Sequence, residues 1–168
     1  MSYILVAMKN LIGFPNPVNE KAARTVAAVV AVIAVVILAT GWLWLLVPLA
    51  YGFIARAITG PRLSPLGAVA MRVIGPRLGS PRLVAGPPKR FAQAIGAALT
   101  TVAAIGGLAL GWTTVALVLT GVLAVFAVLE SVLGFCAGCF AFGQLMRIGV
   151  IPAEVCVECA NIQLRQAA

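Results

Sequence analysis

Charged positions divide the chain into two long apolar runs. After Arg24 no charge occurs until Arg56, and after Arg90 only Glu130 interrupts the run that ends at Arg147. A membrane-spanning helix needs about 20 predominantly apolar residues, with about 17 near the lower limit. The first run is therefore too long for one untilted span and barely enough for two. Thr40-Gly41-Trp42 sits at its middle and predicts a tight hairpin, with one helix from about Ala22 to Ala39 and a second from about Gly41 to Ile58. Asn19 is placed to cap the first helix, with Glu20 and Lys21 in its first turn. Pro48 is a candidate kink in the second.

A shift that carries Pro17 onto Pro87 also carries Ala22 onto Ala92, Ala39 onto Ala109 and Gly41-Trp42 onto Gly111-Trp112. Such an offset predicts a duplicated hairpin. The second copy supplies a third helix from about Phe91 to Leu110 and a fourth from about Trp112 to Met146. Both Gly-Trp turns then lie on one side, with Trp42, Trp44 and Trp112 at the membrane interface. The predicted fold is an all-α integral membrane four-helix bundle in a single domain, residues 1–168. It comprises an N-terminal segment (1–21), a first hairpin (22–58), a basic loop (59–90), a second hairpin (91–146) and a four-cysteine tail (147–168). One long first helix and three spans is the alternative, which would strand Lys9, Lys21 and Arg24 outside.

Composition supports lipid as the solvent. The chain is 62% hydrophobic and 10% charged, with a mean hydropathy of +1.11, where soluble domains carry about 25% charged residues. A net charge of +8 would suggest nucleic acid in a soluble protein, but no recognition motif accompanies it. The basic residues are better read as topogenic and as contacts for membrane lipids. They gather opposite the uncharged Gly-Trp turns, so the positive-inside rule places that side and both termini in the cytoplasm. Lys9 lies within the first apolar stretch and no small-residue cleavage site follows it, so the N-terminus is expected to be retained. In the loop, Ser64 and Pro65 can open a short helix. Its Leu66, Val69, Ala70 and Val73 would share a face on the membrane surface. Arg62, Arg72, Arg77, Arg82, Lys89 and Arg90 are the expected lipid or partner contacts.

The chemistry concentrates in the four cysteines, Cys136 with Cys139 and Cys156 with Cys159, in a chain without histidine. At about 1.5 Å per residue a helix from Trp112 reaches Cys136 after roughly 36 Å, beyond a hydrocarbon core of about 30 Å. Gly149 to Pro152 then lets the chain turn back, so all four thiols can meet. Two Cys-x-x-Cys pairs at this spacing match a zinc site on Cys136, Cys139, Cys156 and Cys159, and an iron–sulfur cluster uses the same ligands. A reducing cytosol suits thiolate ligands. Thiol–disulfide exchange or persulfide transfer is the alternative use of the same residues. Against exchange, neither Trp nor Pro flanks the first pair and no quinone site is visible. Ordinary buried cysteines are a third reading. Glu130 is the lone charge inside the second run, and such a residue needs a partner. Depth counted from the turns pairs it with Arg56, or with Arg24 as second choice. Gly134 and Gly138 would extend its stripe and let helices approach closely. A serine nucleophile has no histidine base, no carboxylate pair is present, and no glycine loop is shaped for phosphate.

The strings Gly13-Phe-Pro-Asn-Pro-Val-Asn19, Gly75-Pro-Arg-Leu78, Gly86-Pro-Pro-Lys-Arg-Phe-Ala92, Gly134-Phe-Cys-Ala-Gly-Cys139 and Ile151-Pro-Ala-Glu-Val-Cys156 occur together. With them the chain resembles a bacterial, largely actinobacterial, multipass membrane family of unknown function, DUF four-three-nine-five. The resemblance implies the bacterial plasma (inner) membrane. It also suggests a setting near thioredoxin-like and sulfurtransferase proteins as cytosolic partners. The expected function is a metal-stapled membrane component that docks such a partner in thiol or sulfur metabolism. The alternative is a membrane thiol oxidoreductase or sulfur carrier, and Glu130 alone hints at solute transport.

Overall fold

A computed structural model describes residues 14–156 and Cys159. Expectations placed on residues 1–13 and on Lys9 and Arg165 lie outside the described residues. The chain runs through β1 (Val18–Asn19), α1 (Glu20–Thr40) and α2 (Leu43–Thr59, its first turn 3₁₀). A loop helix, α3, starts as Pro65–Val69 and continues through a π turn, Ala70–Ile74, to Gly75–Arg77. After it come β2 (Leu83–Val84), α4 (Gly86–Ala109), α5 (Thr113–Leu133), α6 (Ala137–Arg147) and a 3₁₀ turn, Ala153–Cys156. Helices α1, α4 and α5 are long and apolar enough to cross a membrane, and α2 is apolar but shorter.

Local chemistry sets most of these boundaries. Asn19 caps α1, its Oδ1 accepting from the Lys21 N–H at 3.1 Å. Ser64 caps α3, its Oγ accepting from the Gly67 N–H at 3.2 Å, with Pro65 next. The two Gly-Trp turns are alike in conformation. Gly41 has φ 72° and Gly111 has φ 70°, a left-handed turn that glycine enters without steric cost. Trp42 and Trp112 follow with φ/ψ of −75°/77° and −80°/61°. The two turns that the sequence offset aligns therefore share one backbone conformation. The turns lie at one end of the molecule, where a Cβ on Gly107 would stand 2.9 Å from Leu43 Cδ1. Trp42, Trp44 and Trp112 are exposed there. Pro48 falls in the first α-turn of α2, where a missing N–H costs nothing, and no break occurs at it.

The hairpins interlock. Helix α1 packs along α5 and α2 along α4, and the arms of the first hairpin touch each other far less. Small residues permit the approach, since no Cβ on Gly96 would fit beneath the Phe53 ring. Val26, Val30, Ile37, Leu46, Phe53 and Leu123 fill the interior, while Val32, Val118, Val125 and similar side chains face outward as lipid-facing residues would. Thr100 and Thr120 are buried and bond back to the carbonyls of Gly96 and Ala116.

Two expectations need correction. The fourth helix does not run unbroken to Met146. A π segment, Leu129–Leu133, ends at Gly134 with φ 71°, and α6 starts anew after Cys136. Gly134 is thus a helix stop and not part of a packing stripe, although Gly138 does make a close contact with Ala92 from α6. In α3 the expected common face splits. Ala70 is buried and Leu66 packs on the core, whereas Val69 and Val73 are exposed.

Candidate functional site

The end opposite the Gly-Trp turns is built by β1, β2, α3, α6 and the charged ends of the long helices. Val18 pairs with Val84 and Asn19 with Leu83 in a short antiparallel ladder. Glu20 binds Arg82 at 2.9 Å, and Lys21 Nζ donates to the Leu78 carbonyl at 2.7 Å. These contacts fasten the basic loop to α1.

Arg24 explains how α5 can stop where it does. Its guanidinium donates to the carbonyls of Ser131 (3.0 and 3.2 Å) and Val132 (2.8 Å), which a helix end leaves without partners. Gly134 and Phe135 N–H groups bond back to Glu130 and Leu129. The chain then re-enters a helix at Cys136, which has extended φ/ψ of −95°/102° and whose Sγ accepts from the Cys139 N–H at 3.3 Å. Cys136 is the N-cap of α6. Phe142 packs at a tilt against Phe91 with centroids 5.7 Å apart, and Gly138 sits against Ala92, so α6 folds back along α4.

The sulfurs close two by two. Cys136 pairs with Cys139 and Cys156 with Cys159, each within its own motif. Gly149, at φ 76°, turns the chain after α6 as expected. Cys136, Cys139 and Cys159 line one cleft of about 440 Å³, together with Glu20, Lys89 and Arg147. Cys156 is buried. Among the described residues no group of three or more Cys, Asp or Glu side chains is placed to share a metal ion.

Glu130 bonds Lys89 Nζ at 2.6 Å, and both side chains are largely buried. Arg56, expected as its partner, donates instead from Nε to Gln93 Oε1 at 2.8 Å and from Nη1 to Ser64 Oγ at 3.1 Å, and lies over the Phe53 ring. The reason is the start of α4. It begins at Gly86 rather than near Phe91, which puts Lys89 in its first turn facing α5. Lys89 is therefore not a surface contact. Arg62, Arg72, Arg77, Arg82 and Arg90 are exposed, Arg90 donating to the Ala57 carbonyl at 2.9 Å. Sequence reasoning missed Gln93, and it named Arg24 only as a second-choice partner of Glu130 and not as the cap of the α5 carbonyls. A lone glutamine in an apolar helix was the available signal for Gln93. No local signal existed for Arg24.

Comparison with curated proteins and with solved structures gives no match. Residues 18–147 match the family described as Domain of unknown function (DUF4395). That range includes both hairpins, the basic loop, the first cysteine pair and all of α6, and the chain belongs to this family.

Proposed function

We propose that this protein is a membrane-embedded thiol–disulfide exchange protein whose two Cys-x-x-Cys pairs pass a disulfide to one another and to a soluble dithiol protein of the thioredoxin-like class. The supporting observation is that both pairs close on themselves and that Cys136, Cys139 and Cys159 line one cleft, with Cys136 at the N-terminus of α6. A helix N-terminus favours negative charge, and hence the thiolate once the pair is reduced. In this reading α2 is a short fourth span, and the basic end with the cysteines is cytoplasmic. Disulfides in such a compartment are usually transient and catalytic. The exchange balances without an external reagent. A partner thiolate attacks Cys159 Sγ, the Cys156–Cys159 bond breaks with Cys156 leaving as thiolate, and the partner's second thiol resolves the mixed disulfide. Cys159 then attacks Cys136 Sγ and releases Cys139, and Cys156 resolves that bond. Two electrons and two protons have moved from the partner to Cys136 and Cys139.

The test uses the full chain with Cys139→Ser and Cys156→Ser combined, which leaves the two thiols that face the cleft. Oxidation of the folded protein should give a Cys136–Cys159 disulfide, mapped by peptide mass. Absence of that species in folded protein refutes the relay. Stoichiometric zinc or iron held by all four cysteines after anaerobic purification would return the site to the metal-staple reading.

A further inference from the structure

The interior beside Cys136 contains a second cavity, of about 210 Å³, which thiol exchange leaves unused. Its walls are apolar and come from α1, α2, α4 and α5, Val26, Phe53, Leu99 and Phe126 among them. Arg56, Gln93 and Glu130 are the polar interruptions. Cys136 is the one described residue that lines both this cavity and the cleft shared by the two pairs. The sulfur therefore stands at the junction of an apolar chamber and an aqueous one.

Arg56 is 6% exposed, and its Nη2 has no hydrogen-bond partner among the described residues. A buried cationic N–H without an acceptor is costly, and such groups in folded proteins call for an explanation. Its Nε and Nη1 are taken by Gln93 and Ser64, and Glu130 is taken by Lys89. An acceptor oxygen on an occupant of the cavity that Arg56 lines would supply the missing partner. An apolar cavity of about 150 Å³ admits benzene, so this one has room for a substituted ring. The occupant that fits is apolar, ring-sized, carries an acceptor oxygen, and reaches the site from lipid.

We propose that the cavity binds a membrane quinone, with a ring carbonyl accepting from Arg56, and that this quinone oxidises the reduced Cys136–Cys139 pair. The inference rests on the exchange reading and supplies its terminal oxidant. The two S–H bonds break, one S–S bond forms, and both electrons and both protons pass to the quinone, which leaves as quinol. Cys136 faces the quinone on one side and Cys159 on the other, so a disulfide made in the membrane can be handed to the cleft.

The experiment takes the full chain in lipid nanodiscs, reduced and freed of reductant under anaerobic conditions. Decylubiquinone is added, its fully substituted ring resisting thiol addition. Quinone loss is followed by absorbance and free cysteines are counted by maleimide mass shift. The expected result is two quinones reduced per chain, the electrons of the Cys156–Cys159 pair arriving through the relay, and one per chain when Cys156→Ser and Cys159→Ser are combined. Arg56→Gln should slow the reaction about tenfold or more, the loss of one charged hydrogen bond. Ala23→Leu, which adds bulk at the cavity wall while leaving Arg56 in place, should slow it as well. Diamide, which needs no binding site, should close the pair in every folded variant. Equal quinone rates in all variants, or closure by diamide but not by quinone, overturn the quinone site and leave exchange standing. Failure of diamide to form any intramotif disulfide overturns both.

Discussion

Lys89 and Glu130 provide the sharpest test of how this helix assembly is held. Their charged atoms are 2.6 Å apart, and the side chains are 8% and 17% exposed. At that separation, with an effective dielectric constant of about 20, two unit charges attract by about 6 kcal/mol. Much of this offsets the loss of hydration, so the pair as a whole contributes little, but removing one member strands the other in apolar surroundings. Glu130→Gln or Lys89→Met alone should therefore cost about 3–5 kcal/mol, and the two together far less than the sum. The assay is unfolding in mixed micelles with rising SDS, read by far-UV circular dichroism, on the four proteins of a double-mutant cycle. A parallel cycle pairing Arg56→Met with Glu130→Gln should show weaker coupling, because Arg56 is bonded to Gln93 and Ser64. If Glu130→Gln keeps wild-type stability, or if the Lys89 and Glu130 effects simply add, the pair is not what joins α4 to α5.

Other consequences concern single positions. Gly138→Ala should destabilise by about 1–3 kcal/mol, because its Cβ would stand 2.6 Å from Ala92 Cα. Gly143→Ala meets nothing within 4 Å on the same helix and should be neutral or stabilise by up to about 1 kcal/mol; thermal unfolding in detergent separates the two. Gly134→Ala forces a side chain into the left-handed region at a cost of about 1–2 kcal/mol, and should slow thiol exchange by disturbing the Cys136 cap. Arg82→Cys in an otherwise cysteine-free chain should react with an impermeant maleimide only after cells are opened; labelling of intact cells would reverse the orientation.

What the sequence disclosed was local. The Asn19 cap, the Ser64-Pro65 start and the Gly-Trp turns each depend on a few adjacent residues, and each is present as read. Both Gly-Trp turns use the same glycine conformation. What stayed hidden depends on contacts between distant segments. Glu130 was matched to Arg56 by depth, on the assumption that the third helix begins near Phe91. Gly86-Pro87-Pro88 read as a loop, yet proline in the first turn is compatible with a helix start, and those extra residues bring Lys89 within reach. The stop at Gly134 was invisible for the same kind of reason. Glycine also fits a packing stripe, and what selects the stop is Arg24, more than a hundred residues earlier in the chain.

That stop decides the chemistry of the first cysteine pair. In a continuous helix the N–H of Cys139 would be spent on a carbonyl four residues earlier, and both sulfurs would lie on a helix flank with nothing to favour a thiolate. Breaking the helix at Gly134 frees the first-turn N–H groups of α6, and Cys136 Sγ receives one of them. The break leaves carbonyls of α5 open, and the Arg24 guanidinium meets two of them. The same break turns α6 back onto α4, which sets Cys136 between the inner cavity and the outer cleft. Arg24 and Gly134 touch no substrate in this scheme. They are positioning residues, and a change at either should alter the exchange rate at the Cys136–Cys139 pair while leaving the Cys156–Cys159 disulfide able to form.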